Sequence, residues 1–377
     1  MTQDINQRLE KLRARRSGAD RSTRVALAQQ IEILRKQLHG EAYENRAGGK
    51  PFTRYALGAM QEVDPDYTRI SIETATRVQN QLERRLPAEG LTTTYRLQGS
   101  VPLNIHIRGV SDVDLLVIAT ESLYYASGGV RALRGDYSPP RRQPIDLVAE
   151  LRRKSELALD AAYPAVDVDK THPKAIKLSG GSLARPVDVV PAVWWDTAEY
   201  QLSGFEHERG VSIYHKAEHR TIDNLPFLHI KRVEDRDALT LGGLRKAIRL
   251  CKNVKADAED GGPEIGLSSY EIAGLLYHAD LAALRSGVVW ELGILAEAQR
   301  HLDWCYANPG QAQTLMTPDG SRRILDTPEK SSALLRLSCE LDRLLAQVAR
   351  EQSAALYLQE SPSMESSRQA VAQVVIQ

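Results

Sequence analysis

Residues 99–118 read GSVPLNIHIRGVSDVDLLVI, and the second half of this run, Asp112-Val113-Asp114-Leu115-Leu116-Val117-Ile118, has the branched apolar content of a buried β-strand. Side chains alternate along a strand, so Asp112 and Asp114 share one face, about 6–7 Å apart. Two carboxylates so placed repel each other and lose hydration, and a divalent cation between them relieves both penalties. Hard oxygen donors favour Mg²⁺, or Mn²⁺, over zinc. The plainer reading, a solvated strand face, fits poorly because Leu115–Ile118 continue apolar on both faces. Gly99-Ser100, separated from Asp112 by eleven residues, stands at the end of another strand-like run, TTTYRLQ (residues 92–98). Glycine permits close backbone approach there, and exposed amides with the Ser100 hydroxyl can cradle phosphate oxygens. A phosphate nest beside a metal pair points to phosphoryl or nucleotidyl transfer.

A two-metal site needs a third carboxylate. Asp188, in Arg185-Pro186-Val187-Asp188-Val189-Val190-Pro191, is a lone acid in an apolar strand; a strand-end salt bridge is its bland alternative. Asp196 is a weaker substitute. Asp167 and Asp169 copy the Asp-x-Asp spacing without a Gly-Ser ahead of them and read as decoys.

Around this centre, residues 1–38 carry Leu and Ile at helical spacing and predict two helices, whose apolar residues Leu9–Leu12 and Ile31–Leu38 are candidates for self-association or partner contact. Ile72, Ala75, Val78 and Leu82 mark a further helix. Residues 126–143, rich in Gly, Pro and Arg, read as a long basic loop, exposed or rimming a cleft. A helix through Leu147, Leu151 and Leu157 follows, then strands at 165–169, 175–178 and 186–194. From about residue 238 the chain turns helical, over 241–255, 269–284, 291–306 and 331–356, with Asp326-Thr327-Pro328 as a start signal. The polar segment after Ser361 reads as a flexible tail. The expected units are 1–64, 65–237, 238–360 and 361–377, and the class is α+β: a mixed-sheet catalytic lobe with a helical C-terminal lobe.

Composition narrows the partners. Lys+Arg and Asp+Glu both number 49, so a surface built to neutralise a long nucleic-acid template is not expected. No apolar run approaches the roughly 20 residues a bilayer requires, and no apolar leader follows the charged N-terminus. Three dispersed cysteines suggest neither a disulfide framework nor a zinc finger, and no histidine has metal-site spacing with a cysteine. A cytoplasmic protein without membrane contact is expected.

Gly-Ser, its spacer, Asp-x-Asp and a later single Asp resemble the polymerase-β-type nucleotidyltransferase superfamily. Within it, GSVPLNIHIRGVSDVDLLVI, the KAIKL and RPVDVVPA segments and the helical C-terminal half resemble the CD-NTases, bacterial relatives of cyclic GMP-AMP synthase and oligoadenylate synthases. The resemblance spans about residues 65–350. It implies a bilobed fold and a nucleotidyltransferase that joins nucleoside triphosphates, ATP among them, into a cyclic di- or oligonucleotide messenger of anti-phage signalling, with a regulatory or effector protein as partner. It implies two Mg²⁺ ions, or Mn²⁺, with Asp112 and Asp114 on both and Asp188 on the catalytic one, and Gly99 and Ser100 at the β- and γ-phosphates. A lysine on the 241–255 helix would contact the triphosphate, Lys252 first and Lys255 second, on a face shared with Arg245 and Arg249. Ser268, Ser269 and Tyr270 would touch the nucleotide, the serines doubling as helix cap and Tyr270 stacking on a base or serving as core. His106 and Arg108 are solvated loop residues or acceptor contacts; Trp194, Trp195 and Trp290 are core or interface anchors. A linear oligonucleotide, terminal or AMP transferase and a catalytically silent module are the alternatives.

Overall fold

A computed structural model of the chain describes residues 4–17, 41–109, 111–359 and 361–376. The predicted helix over Ile31–Leu38 lies outside the described residues. Elements are numbered along the described residues.

Seven strands form one mixed sheet: β1 (Thr93–Gln98), β2 (Val113–Tyr125), β3 (Asp167–Asp169), β4 (Ile176–Ser179), β5 (Val187–Asp196), β6 (Gly210–His215) and β7 (Arg220–Asn224). The order is β1-β2-β5-β4-β3, with β2 and β5 parallel and the other pairs antiparallel. One edge of β5 is shared: its first half pairs β4, its second half β6, which pairs β7. β6 and β7 were not expected from sequence.

Alternation divides the sheet. Val113, Leu115, Val117, Val187 and Val189 face a core closed by α3 (Pro65–Arg85), through Ala75, Val78 and Leu82, and by α5 (Pro144–Ala162), through Leu147 and Leu151. Ile72 and Leu157, which helical spacing groups with these residues, lie outward. Leu116, Ile118, Val190 and Trp194 form a smaller cluster on the opposite face. That face also carries Asp114 and Asp188, one step closer to the strands' starts. The 126–143 segment is not all loop: α4 (Val130–Leu133) forms within it.

The remaining α-helices among the described residues are α1 (Ile5–Ser17), α2 (Pro51–Met60), α6 (Ala198–Ser203), α7 (Pro226–Leu239), α8 (Gly243–Glu259), α9 (Ser269–Tyr277), α10 (Leu281–Ser286), α11 (Gly293–Ala307), α12 (Pro309–Ala312), α13 (Pro328–Gln352), α14 (Ala354–Tyr357) and α15 (Met364–Ala372). Three expectations change. The 269–284 helix is broken, because Asp280 caps a new one by accepting from the Ala283 amide, although the apolar spacing runs on across the break. Leu9 and Leu12 are no outer surface: they are buried in one helical core with Tyr55, Ile248 and Leu341. The segment after Ser361 is not a frayed tail, since α15 packs on α11 and α13 and buries Val371. The chain's N-terminal segment is stitched to its C-terminal half, where the Glu351 carboxylate accepts from the Phe52 and Thr53 amides at 2.9 and 2.7 Å at the start of α2. Thr327 and Pro328 open α13 as read from sequence. Among the described residues no helix is long and apolar enough to cross a membrane.

Candidate active site

Strand register assembles the site. Asp114 lies directly opposite Asp188 on the parallel pair β2 and β5, with Gln98 opposite Asp114 on β1. On the other side of Asp188 the rung continues to Lys177 on β4 and Asp169 on β3. Five polar residues thus share one row across five strands. Asp112 sits just before β2 and lines the same space as Asp114 and Asp188.

Gly99 turns the chain out of β1 at φ +77°, a left-handed conformation that favours glycine. A Cβ there would stand 2.2 Å from Asp114 Oδ2, so the backbone and that carboxylate are already in close approach. The turn is closed by the Ile105 amide donating to the Ser100 carbonyl at 3.1 Å and the Asn104 amide donating to Val101 at 3.0 Å. A cavity of about 390 Å³ opens beside it. The sheet wall is Gln98, Gly99, Ser100, Asp112, Asp114 and Asp188; the helical wall is His229 and the start of α9, Ser268, Ser269 and Tyr270.

The sequence candidates separate on these walls. Ser268 caps α9 in a reciprocal box, accepting from the Glu271 amide at 3.2 Å while its own amide donates to the Glu271 carboxylate at 2.9 Å. Ser269 lines the cavity at the helix's positive end. Tyr270 also lines it, but its ring is stacked on His229 at 4.4 Å between centroids and its hydroxyl donates to Asp319. Neither Lys252 nor Lys255 is among the lining residues. The Lys252 ammonium is buried under the Gly-Ser spacer, donating to the Ile105 carbonyl at 2.9 Å and the Ser111 hydroxyl at 3.2 Å. Lys255 pairs with Glu259 one turn on. Arg249 is likewise a brace, donating to the Met60 and Asn104 carbonyls at 2.8 and 2.7 Å, and Arg245 pairs with Asp237 and Glu234. The expected basic stripe is therefore taken up within the chain, Lys252 and Arg249 on backbone carbonyls and Arg245 and Lys255 on carboxylates. His106 and Arg108 are buried rather than solvated: His106 meets Thr68 at 3.1 Å, and Arg108 lies 4.8 Å over the Tyr67 ring and donates to the Arg16 carbonyl. Trp194 is buried, while Trp195 and Trp290 are half-buried.

Asp196 lies at the other end of β5, eight residues from Asp188 and so about 26 Å along an extended strand. It accepts from Arg209 Nε at 2.6 Å and from the Tyr137 hydroxyl at 2.8 Å. Tyr137 belongs to the 126–143 segment, which reaches that far end of the sheet and not the cleft. Asp169 accepts from the Thr171 amide and hydroxyl and pairs with His172.

Electrostatics mark out Asp114 and Asp188. Burial, followed by the charges of Asp188 and Asp112, pushes the Asp114 carboxyl up to about 7, against the opposing pull of Lys177 and Lys252. Burial also raises Asp188, Lys177 pulling it back and Asp112 pushing it up. Burial lowers the Lys252 ammonium to about 7 despite attraction to Asp114. A hard divalent cation would relieve this strain, and the donors on offer are all carboxylate oxygens, so the residues fit one. Among the described residues no three His, Cys, Asp or Glu side chains yet close on one point as a ligand set. Sequence reasoning missed Gln98, whose buried Oε1 has no hydrogen-bond partner, His229 and Lys177. Only the register, which a single strand does not disclose, puts Gln98 and Lys177 in the row.

Most of the chain matches known proteins. The cyclic dinucleotide synthase CdnE of Yersinia aleksiciae is 44% identical over 356 residues, which cover 91% of this chain and 92% of that one. The chain belongs to the CD-NTase family. No protein-family model matches it. Among solved CD-NTases, the STING-associated CdnE c-di-GMP synthase of Capnocytophaga granulosa is 27% identical, with a TM-score of 0.67 over 91% of this chain and 97% of that one. The corresponding synthase of Flavobacteriaceae sp., at 23% identity, shows the same fold with a TM-score of 0.72 over 92% and 99%. The polymerase-β-type α+β fold expected from residues 99–118 and Asp188 is the CD-NTase fold, and the homologues are cyclic dinucleotide synthases.

Proposed function

We propose that the chain condenses two nucleoside triphosphates, ATP among them, into a cyclic dinucleotide with release of pyrophosphate, as a cytoplasmic messenger for an effector in anti-phage signalling. The observation that carries this reading is the Asp114–Asp188 rung set against the Gly99-Ser100 turn, with the start of α9 facing it across one cavity.

Asp112, Asp114 and Asp188 would hold two Mg²⁺ ions, or Mn²⁺. Held there, such ions would supply Lewis-acid activation of an acceptor ribose hydroxyl and charge neutralisation at the phosphates. The Gly99 turn and Ser100 hydroxyl orient the β- and γ-phosphates, and the α9 start at Ser269 offers a positive helix end to the same anion. Lys252 and Arg249 hold the spacer that carries Ser100 to Asp112, which fixes the nest relative to the carboxylates. A cyclic product requires the acceptor end of the linear intermediate to return to the same aspartates, which a walled cavity allows and a long template groove would not.

The test is incubation with Mg²⁺ and labelled nucleoside triphosphates, then phosphatase and mass spectrometry. A phosphatase-resistant product of two nucleotides is expected. A ladder of linear products or labelled RNA favours the terminal-transferase alternative, and pyrophosphate release that survives Asp112→Ala with Asp114→Ala removes the mechanism.

A further inference from the structure

One cation already stands among the three aspartates. The Lys177 ammonium lies 3.7 Å from Asp112 Oδ2 and 3.6 Å from Asp188 Oδ2. Both separations exceed hydrogen-bond length, so charge rather than donor geometry holds it, and its side chain is 39% exposed. Its root is fixed: Ile176 and Leu178 on either side are fully buried in the sheet core, and Lys177 is in register with Asp188. It is absent from the cavity lining, so it meets the carboxylates from the β4 side while the cavity opens on theirs. Beyond it on the same rung lies Asp169, a second acid within its electrostatic reach.

We propose that Lys177 is the site's built-in counter-ion: it holds Asp112 and Asp188 when no divalent cation is bound, yields them to one that enters from the cavity, and then turns toward Asp169. The inference rests on the assignment of the three aspartates to metal. It follows from charge: an ammonium and a divalent cation competing for the same two carboxylates repel each other, so the lysine sets how tightly the site takes metal. It also gives a role to Asp169, which the sequence reading set aside as a decoy.

The experiment is Mn²⁺ binding to the full chain at pH 8, followed by the electron paramagnetic resonance of free Mn²⁺, with thermal melting in EDTA as the folding control. Lys177→Met should bind Mn²⁺ about tenfold tighter than the parent, while Lys177→Arg, which keeps the charge, should stay within about threefold. Asp169→Asn should bind about two- to threefold more weakly, because the released ammonium loses its second acid. In EDTA, Lys177→Met should melt below the parent and gain more on Mn²⁺ addition. Equal or weaker Mn²⁺ binding by a folded Lys177→Met overturns this inference alone. No binding by parent or variant overturns the metal assignment and the inference together.

Discussion

Strand β5 carries an acid at each end, and the two ends have opposite characters. Asp196 is 2% exposed and fully engaged, with Arg209 and Tyr137 donating to it and Arg209 also stacked over Trp194 at 4.2 Å. Asp188 has two other carboxylates around it and one lysine at salt-bridge range. A buried acid supplied with donors holds the fold; one left among like charges is held by the fold for something else. The largest effect should come from separating the two. Asp188→Ala should lower product formation by a factor on the order of a thousand or more, with the melting midpoint of the metal-free protein unchanged or raised, because it removes a repulsion. Asp196→Ala should leave turnover per folded molecule near the parent and cost about 3 kcal/mol, since the Arg209 charge loses its partner. Product assays and urea denaturation on both variants decide it, and a stable, inactive Asp196→Ala would break the contrast.

Asp257 extends the comparison to the helical lobe. It is 1% exposed, accepts from Arg15 at 2.6 Å, and is also bonded by the Tyr55 hydroxyl. Asp257→Ala should behave as Asp196→Ala does, costing about 2–3 kcal/mol in urea denaturation with activity retained. Arg15 lies on α1, so the same measurement asks whether the N-terminal helix is part of the helical core. Gly99 belongs with Asp188. Gly99→Ala sets a Cβ against the Asp114 carboxylate at a positive φ, and should cost about 1–2 kcal/mol and lower turnover about tenfold or more.

The two ends of β5 look alike in sequence: Val187-Asp188-Val189 and Trp194-Trp195-Asp196 each set a lone acid against apolar neighbours. Asp188 could be favoured because Gly99-Ser100 and Asp112-Val113-Asp114 together imply a site that lacks one carboxylate, and local spacing is visible in a single chain. What satisfies Asp196 comes from residues 59 and 13 positions away in sequence, and nothing local announces it. The same limit explains Lys252. Its helix and its neighbours Leu244, Ile248 and Cys251 follow from spacing, but the partner of its ammonium is a carbonyl 147 residues away, so a basic helix face looks like a ligand face until the backbone beneath it is placed. Leu9 and Leu12 were legible as an apolar stripe and illegible as to what covers it, which is the chain's own Tyr55 and Ile248 core. The sheet row was half legible: Asp114 and Asp188 from their settings, Gln98 and Lys177 only from pairing.

The smallest predicted effect tests the contrast between satisfied and unsatisfied groups with bases in place of acids. His106 and His301 are both buried and both held near pKa 4, burial being the main cause in each. Around His106 the charges of Lys252 and Arg249 add to the effect, and its Nδ1 has no hydrogen-bond partner. His301 has the Leu275 carbonyl at 2.9 Å from Nε2, and the charges of Arg300, His278 and Arg236 likewise lower it. Between pH 6.5 and about 4 the unfolded chain takes up a proton at each that the folded chain refuses, so each histidine lowers stability as pH falls through that window, by at most about 1.4 kcal/mol per pH unit, while the Asp114 carboxyl, held up to about 7, works in the opposite sense. In urea midpoints at pH 7, 6 and 5 in metal-free buffer, His106→Gln and His301→Gln should each gain on the parent as pH falls. The two should differ in what they do to the site. His106 meets Thr68 and sits in the Ser100–Asp112 spacer that Lys252 braces, so charging it loosens the phosphate nest before the chain unfolds. Acid loss of product formation at pH values where the protein is still folded should therefore soften in His106→Gln and not in His301→Gln. Equal softening in both would mean that the acid limb reports global unfolding, and that the spacer is no weaker a link than the helical core.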